Sequence, residues 1–178
     1  MNDKNLNILV LGSGGHEHTL AKVCSRSDCV GKVMVAPGNG GMSDEFEAHD
    51  LNIEDNSEIV RLAKEQQVDL VVVGPEVPLC NGAVDALNEA GILAYGPDRA
   101  GARLEGSKAY TKDFLNKYGI PTAAYGNFSE IEPALAYLGK LALPVVVKAS
   151  GLAAGKGVLI CQTLEEAEEA VRDMLAGE

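Results

Sequence analysis

Basic residues are in short supply in this chain: 15 lysines and arginines stand against 26 aspartates and glutamates, for a formal net charge of −11. A surface that acidic repels phosphate backbones and anionic headgroups, which argues against nucleic-acid and membrane-surface partners. A small phosphorylated ligand is still compatible, because backbone amides and a few placed lysines hold one locally. No stretch reaches the roughly 18 unbroken apolar residues that a membrane span needs. Residues 1–7 are polar and lack a basic-then-apolar pattern, so no signal peptide is expected. Cysteine is sparse and scattered: Cys24, Cys29, Cys80 and Cys161 form no CxxC pair and have no clustered histidine partners. That spacing disfavours zinc and leaves reduced thiols in a cytoplasmic protein as the expectation. His16 and His18 sit close together, but two ligands without a third make a poor metal site.

Two nucleotide signatures are also missing. The segment Gly12-Ser13-Gly14-Gly15-His16-Glu17-His18 starts like the dinucleotide fingerprint GxGxxG, but Glu17 stands where its third glycine belongs. The segment Gly151-Leu-Ala-Ala-Gly155-Lys156-Gly157 is no P-loop, since GxxxxGK[ST] needs four residues between its glycines and this turn has three.

What is present reads as α/β. Residues 8–11, 32–36, 48–51, 70–73 and 92–95 are short apolar runs with strand character, the fourth a β-branched run suited to a central parallel strand. Helical spacing falls between them at 18–27, 55–67 and 83–90, the first with Leu20, Ala21, Val23 and Cys24 on its inner side. This alternation predicts a doubly wound parallel sheet. The pattern changes near Gly96-Pro97, and the boundary is expected within residues 97–107. Beyond it come helices at 99–104 and 108–118, a strand at 123–128 and a helix at 130–141. A strand at 145–148, a glycine turn, a strand at 158–161 and a helix at 164–175 complete a separate α+β unit. Thr163-Leu-Glu-Glu166 has the spacing of a capping box. The division expected is 1–103 and 104–178.

Three glycine loops end neighbouring strands: 12–18, Pro37-Gly38-Asn39-Gly40-Gly41, and Gly74-Pro75-Glu76-Val77-Pro78. Ligands gather at the carboxyl edge of such sheets, and a strand-to-helix turn points unpaired amides at an anion. The first loop alone is equally a tight turn that needs glycine for packing. Glu76, between prolines, suits hydrogen bonds from a ribose or an amine, although a solvated loop glutamate explains it as well. Lys148 at a strand end and Lys108 at a helix start are both awkward for a cation unless an anion is near. Singly, a snorkelling Lys148 and a surface Lys108 are adequate accounts.

Taken in order, these segments resemble the ATP-grasp ligases, and among them the glycinamide ribonucleotide synthetase family. The resemblance rests on GSGGHEH, APGNGG, VVGPEVPL, YGP, LEGSKAYTKDFL, GIPTA, EPALAYL, VVVKASGLAAGKGV and TLEEAEEAV. It implies a ligase of purine biosynthesis in which ATP phosphorylates glycine's carboxylate and 5-phosphoribosylamine displaces the phosphate. It further implies a Rossmann-like phosphoribosylamine-binding domain, then an ATP-grasp domain whose small lobe begins near residue 122. Gly12, Gly14, Gly15, Glu17, His18, Gly38, Asn39 and Glu76 would serve the sugar phosphate. Lys108, Lys148, Gly151, Gly155, Lys156 and Gly157 would serve ATP. The resemblance also implies Mg2+ and a cytoplasmic, monomeric full-length enzyme. The alternatives are another carboxylate–amine ATP-grasp ligase, or a non-catalytic phosphosugar- or nucleotide-binding module.

Three departures from the family pattern stand out. GNGGREH reads GSGGHEH, so Ser13 replaces Asn and His16 replaces the Arg whose fork binds phosphate bidentately; weaker substrate affinity is the expectation. KADGLAAGKGV reads KASGLAAGKGV, so Ser150 replaces a carboxylate. The family's later phosphate loop, adenine hinge and magnesium ligands have no counterpart up to Glu178, and the acidic run 165–169 reads as the wet face of a helix rather than a substitute. The expectation is an incomplete ATP-grasp domain, without catalytic residues or metal ligands of its own, and inactive alone.

Overall fold

The computed structural model describes residues 5–151 and 157–176. The chain divides into two compact units, Met1–Arg103 and Leu104–Glu178.

The first unit runs β1 (Leu6–Gly12), α1 (Gly15–Cys24), β2 (Val30–Pro37), α2 (Gly40–Ser43), β3 (Glu47–Ala48) and α3 (Asn56–Glu65). It continues with β4 (Leu70–Val73), α4 (Glu76–Asn81), α5 (Ala83–Glu89) and β5 (Leu93–Tyr95), and α6 (Arg99–Gly106) crosses into the second unit. The five strands are parallel, in the order β3-β2-β1-β4-β5. Ile8 to Leu11 face Val33 to Ala36 on one side and Leu70 to Val73 on the other. The chain winds outward from β1 to β3, then returns to β4, so strand order reverses beside β1 and loops at that carboxyl edge are left with an open crevice.

Strand alternation builds both faces of this sheet. Leu9, Leu11, Met34, Ala36, Val71 and Val73 pack with Ile59, Leu62, Ala63, Ala83, Val84 and Leu87 of α3 and α5. Ile8, Val10, Val33, Val35 and Val72 pack with Ala21 of α1 and Met42 of α2. Leu9 and Leu11 are fully buried, each worth about 1.5–3 kcal/mol of transfer free energy. Asp55 starts α3, its Oδ1 accepting from Ser57 N–H at 2.8 Å and Glu58 N–H at 3.4 Å.

Several boundaries differ from the sequence reading. Helix α1 begins at Gly15, so His16, Glu17 and His18 occupy its first turn instead of a loop. Of its four expected inner residues, only Ala21 is fully buried; Leu20 is 36% and Val23 59% exposed, because the helix rests on the sheet along the line of Glu17 and Ala21. The stretch after Pro75 is not loop but helix α4, with Pro75 at its N-cap and Pro78 in its first turn, where a missing N–H is tolerated.

The second unit contains α7 (Lys108–Lys117), α8 (Ile131–Leu138), β6 (Val145–Lys148), β7 (Val158–Cys161) and α9 (Leu164–Ala176). Strands β6 and β7 form an antiparallel pair with Val145 opposite Cys161 and Lys148 opposite Val158. The inner face joins Ala134 and Leu138 of α8 to Ala167, Ala170 and Val171 of α9. The capping box of α9 is present: Thr163 Oγ1 accepts from Glu166 N–H at 3.2 Å, and Glu166 Oε2 accepts from Thr163 N–H at 3.3 Å. Residues 123–128 form no strand. Side chains of α7 hold this stretch instead, with Lys112 Nζ donating to Thr122 Oγ1 and Ala123 O, and Asp113 accepting from Tyr125 and Asn127. No ladder partner lies beside it among the described residues, so the stretch does not become a strand. Among the described residues no helix is long and apolar enough to cross a membrane.

Candidate functional site

The carboxyl edge of the first unit is organised around the loop that leaves β1. Its backbone is tied to both neighbours: Gly38 N–H donates to Gly12 O at 3.2 Å and Gly74 N–H donates to Leu11 O at 3.2 Å. Side chains complete the ties. Asn39 Nδ2 donates to Ser13 O at 2.8 Å, while Asn39 Oδ1 caps α2 by accepting from Met42 N–H at 3.0 Å. His18 Nε2 lies 3.1 Å from Glu45 Oε1, which also meets Lys22 Nζ at 3.0 Å. The Lys22 ammonium foremost, and then His18, hold the Glu45 carboxyl below its ordinary range. The His18 ring is edge-on to Phe46 at 6.4 Å, and a Cβ added at Gly41 would lie 3.5 Å from His18 Cε1. Thus the three loops read from the sequence meet at one edge.

The individual residues divide by role. Gly14, Gly15, His16 and Glu76 are exposed, and Glu76 stands on the first turn of α4. Gly38, Asn39 and His18 are half-buried, and the side-chain amide of Asn39 and Nε2 of His18 are engaged with the protein. Glu17 is 7% exposed, the one buried charged side chain among the described residues, and its Oε2 accepts from Gly14 N–H at 2.7 Å. Residues the sequence reading missed are Glu45, which anchors His18, and Gly74 as a wall of the Glu17 pocket. The available signal was Glu17 itself, a carboxylate at the position where a close-packing glycine is normal.

In the second unit a separate cluster surrounds the start of α7. Ser107 caps that helix, its Oγ accepting from Tyr110 N–H at 3.2 Å. Lys108 N–H donates to Ser150 O at 2.9 Å, and Lys108 Nζ donates to Gly151 O at 2.9 Å. Ser150 Oγ accepts from Ala109 N–H at 3.1 Å. The turn after β6 is therefore docked on the N-terminus of α7, and the Lys108 ammonium offsets its poor position near the helix dipole by binding a carbonyl. Lys148 is exposed on the outer face of β6, beside Val146 and opposite Val158, and its ammonium has no partner among the described residues. Gly157 is half-buried; Gly155 and Lys156 lie outside the described residues. Ser150 was singled out in the sequence only as a departure, and its hydrogen bond to α7 gives it a definite role.

Comparison with known proteins finds matches over nearly the whole chain. Residues 6–105 match the family model described as phosphoribosylglycinamide synthetase, N domain, and residues 106–178 match phosphoribosylglycinamide synthetase, ATP-grasp (A) domain. The chain is 55% identical over 174 residues to a phosphoribosylamine–glycine ligase of Vibrio vulnificus, covering 97% of this chain and 41% of that protein. It therefore spans about two-fifths of the length of such relatives. Among solved structures, a phosphoribosylamine–glycine ligase from Thermotoga maritima aligns with a TM-score of 0.72 at 31% identity, covering 92% of this chain and 38% of that one. A carboxyaminoimidazole ribonucleotide synthase from Aspergillus clavatus, solved with ATP, aligns with a TM-score of 0.72 at 26% identity over 96% of this chain and 46% of that one.

Proposed function

The chain belongs to the phosphoribosylglycinamide synthetase family, and from that premise we propose that it supplies the sugar-phosphate-binding part and the first nucleotide-binding elements of a ligase that joins glycine to 5-phosphoribosylamine. In the whole reaction the glycine carboxylate is phosphorylated by ATP, and the amine then attacks the acyl carbon. Phosphate leaves, giving glycinamide ribonucleotide and ADP. The observation that carries the reading is the convergence of three glycine loops on one carboxyl edge, tied to each other by backbone and side-chain hydrogen bonds. Exposed backbone at Gly15 suits a sugar phosphate, the Gly14 amide being already taken by Glu17, and the Glu76 carboxylate suits its hydroxyls or amine. Gly12, Glu17, Gly38, Asn39 and His18 serve the ligand by shaping the edge.

In the second unit, Lys148 and the glycine-rich segment 151–157 suit an ATP phosphate, since a cation with no partner among the described residues can neutralise charge that builds on a transferring phosphoryl group. Lys108 acts on the same turn through Gly151. Bound Mg2+ would add charge neutralisation at the phosphates; among the described residues no cluster of three acidic, histidine or cysteine side chains is disposed to hold it. We also propose a cytoplasmic setting and a monomeric full-length enzyme, with neither nucleic acid nor membrane as partner.

Titration calorimetry on the chain tests this. Ribose 5-phosphate and ATP should each bind. Glu76→Gln should weaken the sugar phosphate about tenfold, which is about 1.4 kcal/mol, and Lys148→Ala should weaken ATP alone. In the same series His16→Arg should tighten the sugar phosphate. Failure of both ligands to bind, or loss of sugar-phosphate binding in Lys148→Ala, would overturn the assignment.

A further inference from the structure

Glu17 is buried at the mouth of the first loop, and the space it fills is space that three glycines leave open. A Cβ at Gly14 would lie 2.7 Å from Glu17 Oε2, and a Cβ at Gly12 or at Gly74 would lie 2.8 Å from Glu17 Cδ, with other Glu17 atoms closer still. Real Cβ atoms do not approach that near. Gly12 has a φ of +126°, so its glycine answers to backbone conformation as well. Gly74 has no positive φ; glycine there is explained by the Glu17 side chain alone. The carboxylate thus spans from the turn after β1, where it holds Gly14 N–H, to the end of β4, where it lies against Gly74.

That contact has a lever attached. Gly74 is followed by Pro75, which caps α4, and by Glu76 on the first turn of the same helix. Proline fixes φ at Pro75, so a shift of Gly74 passes to Glu76 with little loss. A side chain that sets the gap between Gly12 and Gly74 also sets where the Glu76 carboxylate stands relative to the exposed Gly14–Gly15 backbone.

We propose that Glu17 is a positioning residue: a latch, keyed by Gly12, Gly14 and Gly74, that fixes the separation between the first and third loops and thereby the placement of Glu76. Its ligand arm rests on the sugar-phosphate reading above; the latch itself does not. Glu17 touches no ligand in this role. It acts through the loops it spaces, which also explains why a carboxylate occurs beside a candidate phosphate-binding turn: one of its oxygens is spent on Gly14 and the other is packed against backbone.

The test uses Glu17→Gln, Glu17→Ala, Gly74→Ala and the double variant Glu17→Ala/Gly74→Ala in the full chain. Glu17→Gln keeps the shape and one acceptor, so ribose 5-phosphate binding should stay within about twofold of the parent, whereas Glu17→Ala should lose about tenfold. Gly74→Ala forces a methyl into the Glu17 pocket and should lose at least as much. The double variant should bind better than Gly74→Ala alone, because removing the carboxylate frees the space for the new Cβ. Hydrogen exchange supplies a ligand-free readout: Glu17→Ala should raise exchange at residues 12–16 and also at residues 74–78. Strictly multiplicative losses in the double variant, or exchange raised at 12–16 alone, would reduce Glu17 to a local helix cap and overturn the latch. If the parent chain itself binds no ribose 5-phosphate, the ligand reading fails, and the exchange pattern still decides the latch.

Discussion

Ser150 shows how one side chain couples two parts of the second unit. Its Oγ accepts from Ala109 N–H at 3.1 Å and lies 3.5 Å from Ser107 Oγ, so the first turn of α7 is capped from within by Ser107 and from outside by Ser150. The unpaired amides and positive dipole end of a helix prefer an anion to a hydroxyl. Lys108, whose ammonium binds the neighbouring Gly151 O, adds a cation to the same spot. Ser150→Asp should therefore stabilise the unit, by about 0.5–1 kcal/mol. Thermal unfolding at low ionic strength checks it, and the gain should shrink as salt is added. An unchanged or lowered midpoint would mean that Ser150 is fitted for something other than capping. His16 is likewise exposed, which leaves room for a longer arginine side chain.

At the scale of elements, α3 carries the clearest cap. Asp55 is held below its ordinary carboxyl range foremost by the Ser57 hydroxyl, and then by the amides of Ser57 and Glu58. A depressed folded value means that the ionised form stabilises the fold above the ordinary carboxylate range and that this contribution is lost as pH falls through the lowered value. Asn caps nearly as well but does not titrate. The stability difference between the parent and Asp55→Asn should thus narrow as pH drops from about 6 to about 3, because only the parent loses its cap charge. Parallel thermal midpoints across that window would remove Asp55 from the acid response. Elements of this kind were legible from the chain alone: a helix start at Asp55 or Asn56 and the capping box at Thr163 rest on contacts within a few residues, and the run at 70–73 marked β4 by composition. What escaped the sequence depended on distant partners. The strand expected at residues 123–128 lacked a neighbour to pair with and was taken over by Lys112 and Asp113. Leu20 and Val23 share the period of Ala21 but not its contact line with the sheet. The three loops of the candidate site were legible because glycine marks strand ends, whereas the division between side chains that shape the edge and those left free, Glu17 against Glu76, depended on packing across β1 and β4.

For the whole molecule, the two units differ in how much each buries, and that difference predicts how each opens. The first unit has a five-stranded sheet with packed clusters on both faces, and Leu9, Val10, Leu11, Met34 and Val35 have no accessible surface. The second has a two-stranded sheet packed on one face only. On its other face Val146, Val158 and Ile160 are 50%, 41% and 67% exposed. Opening free energy follows buried apolar contact, so amides of β1 and β4 should exchange with the slowest rates in the chain, while those of β6 and β7 open through a smaller excursion. A gap of only about 1.4 kcal/mol separates exchange rates tenfold. Deuterium uptake read on peptides spanning residues 6–12 and 70–73 should therefore lag that on peptides spanning 145–148 and 158–161 by at least about tenfold under conditions where intrinsic rates are matched. Adding ATP should close part of the gap by slowing residues 145–151, if Lys148 and the turn beyond it take a phosphate as proposed, and should leave residues 6–12 where they were. Equal and slow uptake in both sets would show that the exposed faces of β6 and β7 cost the second unit nothing and that one-sided packing does not ease its opening.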